Sequence, residues 1–182
     1  MKNHIISALK LTLVMLVIVG IYLGIVYAGS KVLPTQGNAE IINYKGQKFY
    51  ANIGQSFTSP KYFQGRPSAV DYNAAGSAGS NKGPSNEEYL QIVQKRIDTL
   101  KIQNPEMQNV KVPVELVTAS GSGLDPDISP EGALYQAKRI AKERNIPLKK
   151  IEDLIKNQTE KSFFGPSKIN VLKLNIALNE LR

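Results

Sequence analysis

From Leu11 to Ala28 the sequence reads Leu-Thr-Leu-Val-Met-Leu-Val-Ile-Val-Gly-Ile-Tyr-Leu-Gly-Ile-Val-Tyr-Ala, without a single charge. Eleven of these eighteen residues are Leu, Ile or Val. As a helix the stretch would be about 27 Å long, close to the hydrocarbon thickness of a bilayer. It therefore predicts a membrane-spanning helix near the N-terminus.

A cleaved signal peptide is the alternative interpretation of this stretch. Val26-Tyr27-Ala28 fits a small-residue cleavage site, and Lys2 and Lys10 provide a basic start. The apolar cores of signal peptides usually run only about 7–15 residues, however. The length of this stretch favours a helix that is retained.

The same stretch carries small residues at every fourth position, namely Gly20, Gly24 and Ala28. Residues four apart share one face of a helix, and small side chains there let another helix approach closely. The spacing predicts a transmembrane packing face. Because small residues are common in membrane helices, a chance arrangement is the alternative.

The remainder of the chain predicts one folded domain. We divide the sequence into an N-terminal flank (1–10), a transmembrane helix (11–28), a polar connector (29–45) and a soluble domain (46–182). The absence of cysteine excludes disulfides and a lipoprotein anchor.

Charge limits the partners of this domain. After the apolar stretch, 21 basic and 15 acidic residues give a net charge of +6, which suits a domain beside anionic lipid. Nucleic acid is not an expected partner, because the lysines are scattered and no binding motif accompanies them. Lysines flank both sides of the apolar stretch, so charge does not decide its orientation.

Periodicity and capping signals predict an α+β fold, with the single N-terminal transmembrane helix followed by one soluble mixed α/β domain. The first part of the domain is predicted to contain short strands and turns over 46–73, a loop over 74–84, a helix capped by Ser85 with Glu88, and a strand over 110–119. Two further helices follow, one capped by Ser129 with Pro130 at its first position and one opening at Pro147. The last segment, over 169–181, fits the period of either a helix or a strand and favours a helix capped by Asn170.

The Ser/Gly-rich loop over 120–129 holds the main candidates for binding a partner or a nucleotide. They are Ser120, Gly121, Ser122, Gly123, Leu124 and Asp125. Backbone N–H groups of such a loop can cradle a phosphate, but the Gly-x4-Gly-Lys-Ser/Thr motif is absent. A turn that uses Gly for positive φ and Ser or Asp for local hydrogen bonds is the structural alternative.

Catalysis and metal binding in this loop have weaker support. A nucleophile at Ser120 or Ser122 would need a base, and the only histidine is His4, before the membrane helix. Asp125 and Asp127 are too few carboxylates for a calcium loop of the usual kind. We therefore predict no catalytic residue and no metal ligand.

Arg66 lies in the aromatic- and proline-rich stretch over 62–69. Its guanidinium is suited to bidentate binding of a carboxylate or phosphate ligand. Stacking on an aromatic side chain, or pairing with Asp71 or Asp125 inside the fold, is the structural alternative, and we favour it.

Several short motifs occur in a specific order along the chain. They are Ile53-Gly-Gln-x-Phe57, Pro60-x-Tyr-Phe-x-Gly-Arg-Pro-Ser-Ala69, Tyr72-Asn-Ala-Ala75, Gly79-Ser-Asn-x-Gly-Pro-x-Asn86, Val112-Pro-Val114, Val117-Thr-Ala-Ser-x-Ser-Gly-Leu-Asp-Pro126, Ile128-Ser-Pro130 and Asn170-Val-Leu-x-Leu-Asn-x-Ala-Leu178. Together they resemble the C subunit of the bacterial Kdp-type potassium-transporting ATPase. Two departures are Asp127, where many relatives have His or Asn, and the lack of a Tyr-Pro step in the membrane helix.

The resemblance implies a non-catalytic accessory subunit of a potassium uptake pump. Its partners would be a potassium-channel-like subunit, a P-type ATPase subunit and the lipid bilayer, and it would hold no cofactor of its own, since the complex handles ATP and potassium. The family is linked with nucleotide affinity, for which the 117–130 loop would be the candidate. The resemblance also places the protein in the cytoplasmic (inner) membrane with an extracytoplasmic domain, where cytoplasmic ATP does not reach. A membrane-tethered hydrolase using Ser120 or Ser122 is the alternative from another class.

Overall fold

A computed structural model describes residues 2–162 and 164–181, which divide into two compact units after Glu40. The first unit contains helix α1 (Lys2–Val32). Its segment His4–Val32, with a mean hydropathy of 2.5, is the one helix among the described residues that is long and apolar enough to cross a membrane. The helix continues past Ala28, because Gly29 and Ser30 do not interrupt it and helical hydrogen bonding extends to Val32.

The second unit opens with a β-hairpin whose first strand lies inside the stretch that we predicted as a connector. Strands β1 (Ile41–Tyr44) and β2 (Gln47–Tyr50) pair antiparallel, with Ile42 opposite Phe49. Lys45 and Gly46 join them, and both have positive φ, 49° and 78°. Two positive-φ residues make the tight turn whose twist matches that of a hairpin.

Residues 51–86 form no regular element apart from a 3₁₀ turn at Ala74–Gly76, and helix α2 (Glu87–Gln103) follows. The predicted cap at Ser85 is wrong by one residue. The side-chain oxygen of Asn86 accepts the cap hydrogen bond from the N–H of Tyr89, at 2.9 Å. Glu88, the predicted second member of the capping box, pairs with Lys82 instead.

The predicted strand over 110–119 is also wrong. This stretch contains a 3₁₀ turn at Val114–Leu116. Pro113 cannot donate a hydrogen bond to a strand, and its carbonyl instead accepts from the N–H of Leu116 at 3.1 Å. Two of its β-branched residues, Val112 and Val117, are buried in the core without forming a ladder.

Three helices complete the domain: α3 (Pro130–Arg144), α4 (Leu148–Gln158) and α5 (Val171–Glu180). The caps predicted at Ser129 and Asn170 are confirmed, because their side chains accept from the N–H groups of Gly132 and Lys173. Strands β3 (Asp127–Ile128) and β4 (Ile169–Asn170) form a short antiparallel pair before α3 and α5. The α+β fold class predicted from the sequence is confirmed.

Helix α4 packs against both α3 and α5, and their shared core also receives the irregular segment over 57–67. The largest fully buried apolar side chains of this core are Phe63, Tyr135, Ile140, Ile151, Ile169, Leu174 and Leu178.

Two buried side-chain amides fix the backbone of this irregular segment. The amide of Asn175 accepts from the N–H of Phe63 and donates to its carbonyl, both at 2.9 Å. Gln136 bonds Gln64 in the same way, at 2.8 and 3.0 Å. Each amide thus bonds both the N–H and the carbonyl of one residue, as a neighbouring β-strand would. Phe63 is therefore buried without an unpaired main-chain polar group.

Arg139 holds the same segment from α3. Its guanidinium donates to the carbonyls of Pro60 and Tyr62 and to the side-chain oxygens of Asn104 and Gln136. Burial lowers the pKa of Arg139 to about 10, against the opposing effect of the charge on Glu143. The side chain is therefore cationic at neutral pH and is held largely by neutral acceptors.

We expect Asn175→Ala to lower the free energy of unfolding by about 2–4 kcal/mol, because it leaves the buried N–H and carbonyl of Phe63 without partners. Asn157→Ala is the matched control on the exposed side of α4, and we expect a change below about 1 kcal/mol. Urea unfolding of the full chain in detergent, followed by tyrosine circular dichroism, measures both. Equal losses in the two variants would contradict the role given to Asn175.

Candidate functional site

The Ser/Gly loop packs against a second loop, and we call residues 66–80 and 120–127 the paired loops. Gly123 has φ +68°, and a Cβ added there would lie 2.6 Å from Cγ2 of Val70 and 2.8 Å from the carbonyl oxygen of Ala78. A Cβ on Gly79 would lie 2.9 Å from the carbonyl oxygen of Gly121. The two backbones approach so closely that glycine is required at 79 and 123.

Hydrogen bonds join the paired loops to each other and to the segment after the hairpin. The N–H of Ser120 donates to the carbonyl of Pro67 at 3.2 Å, and the hydroxyl of Ser77 donates to the carbonyl of Ser122 at 2.9 Å. The N–H of Gly54 donates to the carbonyl of Leu124 at 2.7 Å. These three carbonyl groups are therefore used as acceptors in hydrogen bonds within the domain.

Three of the four charged residues of the paired loops lie beside opposite charges. Arg66 contacts Asp125 at 3.0 Å, which is one of the internal pairings that the sequence left open. Asp127 lies 2.8 Å from the amino group of Lys168. The hydrogen bond to Asp127 is the main cause of the raised pKa of Lys168; burial opposes it, and the charges of Asp127, Glu160 and Asp125 add to it.

The structure therefore brings all the predicted loop residues and Arg66 together, but the serines are poorly placed for chemistry. Ser120 is 3% exposed, so its hydroxyl is covered. Ser122 is exposed, and its hydroxyl accepts from the N–H of Leu124 at 3.1 Å. Within residues 2–162 and 164–181, no group of three His, Asp or Glu side chains is arranged to hold a metal ion.

Grooves of about 300–560 Å³ open on the described part of the domain, and residues 120–125 line none of them, although Pro67 and Tyr72 of the other loop line one. The loop over 120–125 instead presents a surface without such a groove, on which Gly121 and Ser122 are exposed. Such a surface is suited to docking on another protein rather than to enclosing a small ligand.

Sequence reasoning missed the buried polar residues that hold this arrangement together. Gln136 lies on the same face of α3 as Ala133, Ala137 and Ile140, and it is fully buried. A polar residue within an apolar stripe was the available signal, because such a residue must find a buried partner. The sequence did not identify that partner, which lies 72 residues away along the chain.

Comparison with known proteins identifies the family. The family model described as "KdpC: K+-transporting ATPase, c chain" matches residues 5–180. Relatives named potassium-transporting ATPase KdpC subunit include those of Flavobacterium johnsoniae, 53% identical over the whole of both chains, and Flavobacterium psychrophilum, 50% identical over the whole of both. A third, from Bacteroides fragilis, is 46% identical over 97% of this chain and 96% of its own.

The chain belongs to the KdpC family of potassium-transporting ATPase subunits, which confirms the resemblance drawn from its motifs. Membership in this family and the apolar helix α1 together define a membrane-associated protein with an accessory role in potassium transport.

Gly123→Ala tests the close approach of the paired loops. We expect it to cost about 2–4 kcal/mol of unfolding free energy, because the new methyl group adds both a positive-φ penalty and a steric clash. Gly121→Ala is the matched control, since a Cβ there meets nothing within 4 Å, and we expect a change below about 1 kcal/mol. Urea unfolding distinguishes them, and equal stabilities would contradict the packing described.

Proposed function

We propose that this chain is a non-catalytic accessory subunit that assembles and stabilises the channel-like and P-type ATPase subunits of a potassium uptake pump. Helix α1 is the observation that carries the proposal. It exposes apolar side chains from Ile5 to Val32, and a Cβ on Gly20 or Gly24 would meet nothing within 4 Å among the described residues. Such a face is suited to close packing against a helix of another subunit.

The contacts of the paired loops support a docking role for the soluble domain. Asp125 and Asp127 each have a cationic neighbour, and the residues after the apolar stretch carry +6 in total. A site that attracts potassium by charge would need carboxylates without such neighbours. We therefore propose that the domain affects potassium or nucleotide affinity through contact with the other subunits rather than by binding either ligand.

The same reasoning disfavours the hydrolase alternative. A nucleophile must be reachable and must lie beside a base. Ser120 is covered, and the hydroxyl of Ser122 accepts a main-chain N–H. We propose docking, with no reaction assigned to these serines.

We further propose that α1 spans the cytoplasmic membrane and that the domain lies on the extracytoplasmic side. Residue 85, at the exposed start of α2, and residue 7, near the N-terminus of α1, would then be on opposite sides of the bilayer. This orientation keeps the paired loops away from cytoplasmic ATP.

Gly24→Leu tests the packing face of α1. We expect recovery of the partner subunits with tagged chain in detergent to fall about tenfold, because the helices would be held apart. Leu23→Phe adds bulk to a neighbouring face and should leave recovery within about twofold. Unchanged recovery with Gly24→Leu would exclude this face from assembly.

Thiol labelling tests the orientation, because the chain has no cysteine of its own. We expect Ser85→Cys to react with a membrane-impermeant reagent in cells whose outer membrane alone is permeabilised. Ser7→Cys should react only after the cytoplasmic membrane is broken. The reverse pattern would place the domain in the cytoplasm.

A further inference from the structure

A groove of about 560 Å³ lies between residues 107–115 and the first turns of α3, and residues 120–125 do not line it. We call it the Tyr135 groove. Its apolar lining includes Met107, Val110, Val112, Val114, Leu134 and Tyr135. Val114 is 58% exposed, Val110 46% and Leu134 44%, so three large apolar side chains meet solvent around one depression. Clustered exposure of this kind is typical of an interaction surface.

Tyr135 lines this groove and has a buried hydroxyl without a hydrogen-bond partner among the described residues. The residue as a whole is 2% exposed. Burial raises the pKa of Tyr135, so the group remains a neutral donor. A buried hydroxyl without a partner is unfavourable, and an acceptor brought by a bound molecule would remove that cost.

The main chain along one wall of the groove also has free donors. Among the described residues, no acceptor bonds the N–H groups of Lys111 and Val112, and neither residue lies in a helix or strand. An extended peptide beside such a segment gains main-chain hydrogen bonds while its side chains enter the apolar depression. These donors favour a peptide over a lipid chain, which would leave them unpaired.

Charge indicates the kind of peptide. Glu115, Glu131 and Lys111 line the groove, which gives it a net negative charge on a domain that is otherwise basic. Within the described part of the chain neither glutamate forms an ion pair, although Glu115 accepts a hydrogen bond from the hydroxyl of Ser129. A basic side chain complements this lining, whereas an anionic lipid headgroup is repelled by it.

We propose that the Tyr135 groove binds an extended apolar segment of a partner subunit of the transport ATPase. A main-chain carbonyl of that segment accepts from the Tyr135 hydroxyl, and a basic side chain pairs with Glu131. The inference rests on the proposed accessory function and adds to it a docking surface separate from both α1 and the paired loops.

Substitution at the exposed rim tests the surface in the assembled complex. We expect Leu134→Asp to lower recovery of the partner subunits with tagged full-length chain about tenfold, because a charge enters an apolar contact. Ile102→Asp is the matched control: Ile102 is 78% exposed and lies outside the groove. Equal recovery of the two variants, with wild type recovering its partners, would overturn the docking site and leave the proposed function intact. Failure of the wild-type chain to recover them would contradict the proposed function, and the inference with it.

Tyr135→Phe separates a binding role of the hydroxyl from a structural one. We expect the purified chain to unfold at an equal or higher urea concentration, since an unsatisfied hydroxyl is removed, while recovery of the partner subunits falls about threefold to tenfold. Lower stability of the chain alone, or unchanged recovery, would overturn the proposed hydrogen bond.

A photo-crosslinking amino acid at position 114 identifies the occupant directly. Benzoylphenylalanine there, in the purified complex, should form adducts with one short segment of a partner subunit that contains apolar residues and a Lys or Arg. Adducts only with lipid, only with a second copy of this chain, or with no molecule would overturn the proposal.

Discussion

Two side-chain amides on helices form hydrogen bonds with both the N–H and the carbonyl of a residue in the irregular segment. Asn175 bonds Phe63 in this way, and Gln136 bonds Gln64. A segment without secondary structure can enter a core only if its N–H and carbonyl groups are satisfied there. With both groups bonded, the Phe63 ring can occupy the centre of the helical core with no exposed surface. The remaining contacts of residues 60–67 depend on this anchoring, including those made by Arg139.

The anchored segment in turn positions the candidate docking surface. Pro67 accepts from the N–H of Ser120, and Arg66 pairs with Asp125, so both contacts begin only three or four residues beyond Phe63. We expect a change at Asn175 to reach the loop at 120–125 through the chain from Phe63 to Pro67 and the hydrogen bond between Pro67 and Ser120. Buried polar networks transmit such changes because each member has few alternative partners.

Local signals in the sequence predicted local structure well. Ser129 and Asn170 cap their helices as expected, because a cap is decided within four residues. The prediction of a strand over 110–119 was wrong, because alternating β-branched residues also suit a partly buried irregular segment. Pro113 in addition cannot donate a hydrogen bond to a strand ladder. For Arg66 the sequence offered Asp71 or Asp125, and only the fold selects Asp125, which lies 59 residues away. The amide of Asn175 bonds a residue 112 positions away, which no local pattern encodes.

The role of the glycines in the paired loops likewise depends on residues that are far apart in the sequence. Read alone, Ser-Gly-Ser-Gly suggests a phosphate cradle, in which glycine exposes N–H groups to a ligand. In the fold, Gly123 and Gly79 are required by the opposing backbone, and Arg66, Asp125 and Asp127 form ion pairs within the chain. A loop fixed in this way gives up little conformational freedom when another protein contacts it. The same composition that resembles a ligand site therefore suits a rigid surface, which is the property that the docking role proposed above requires.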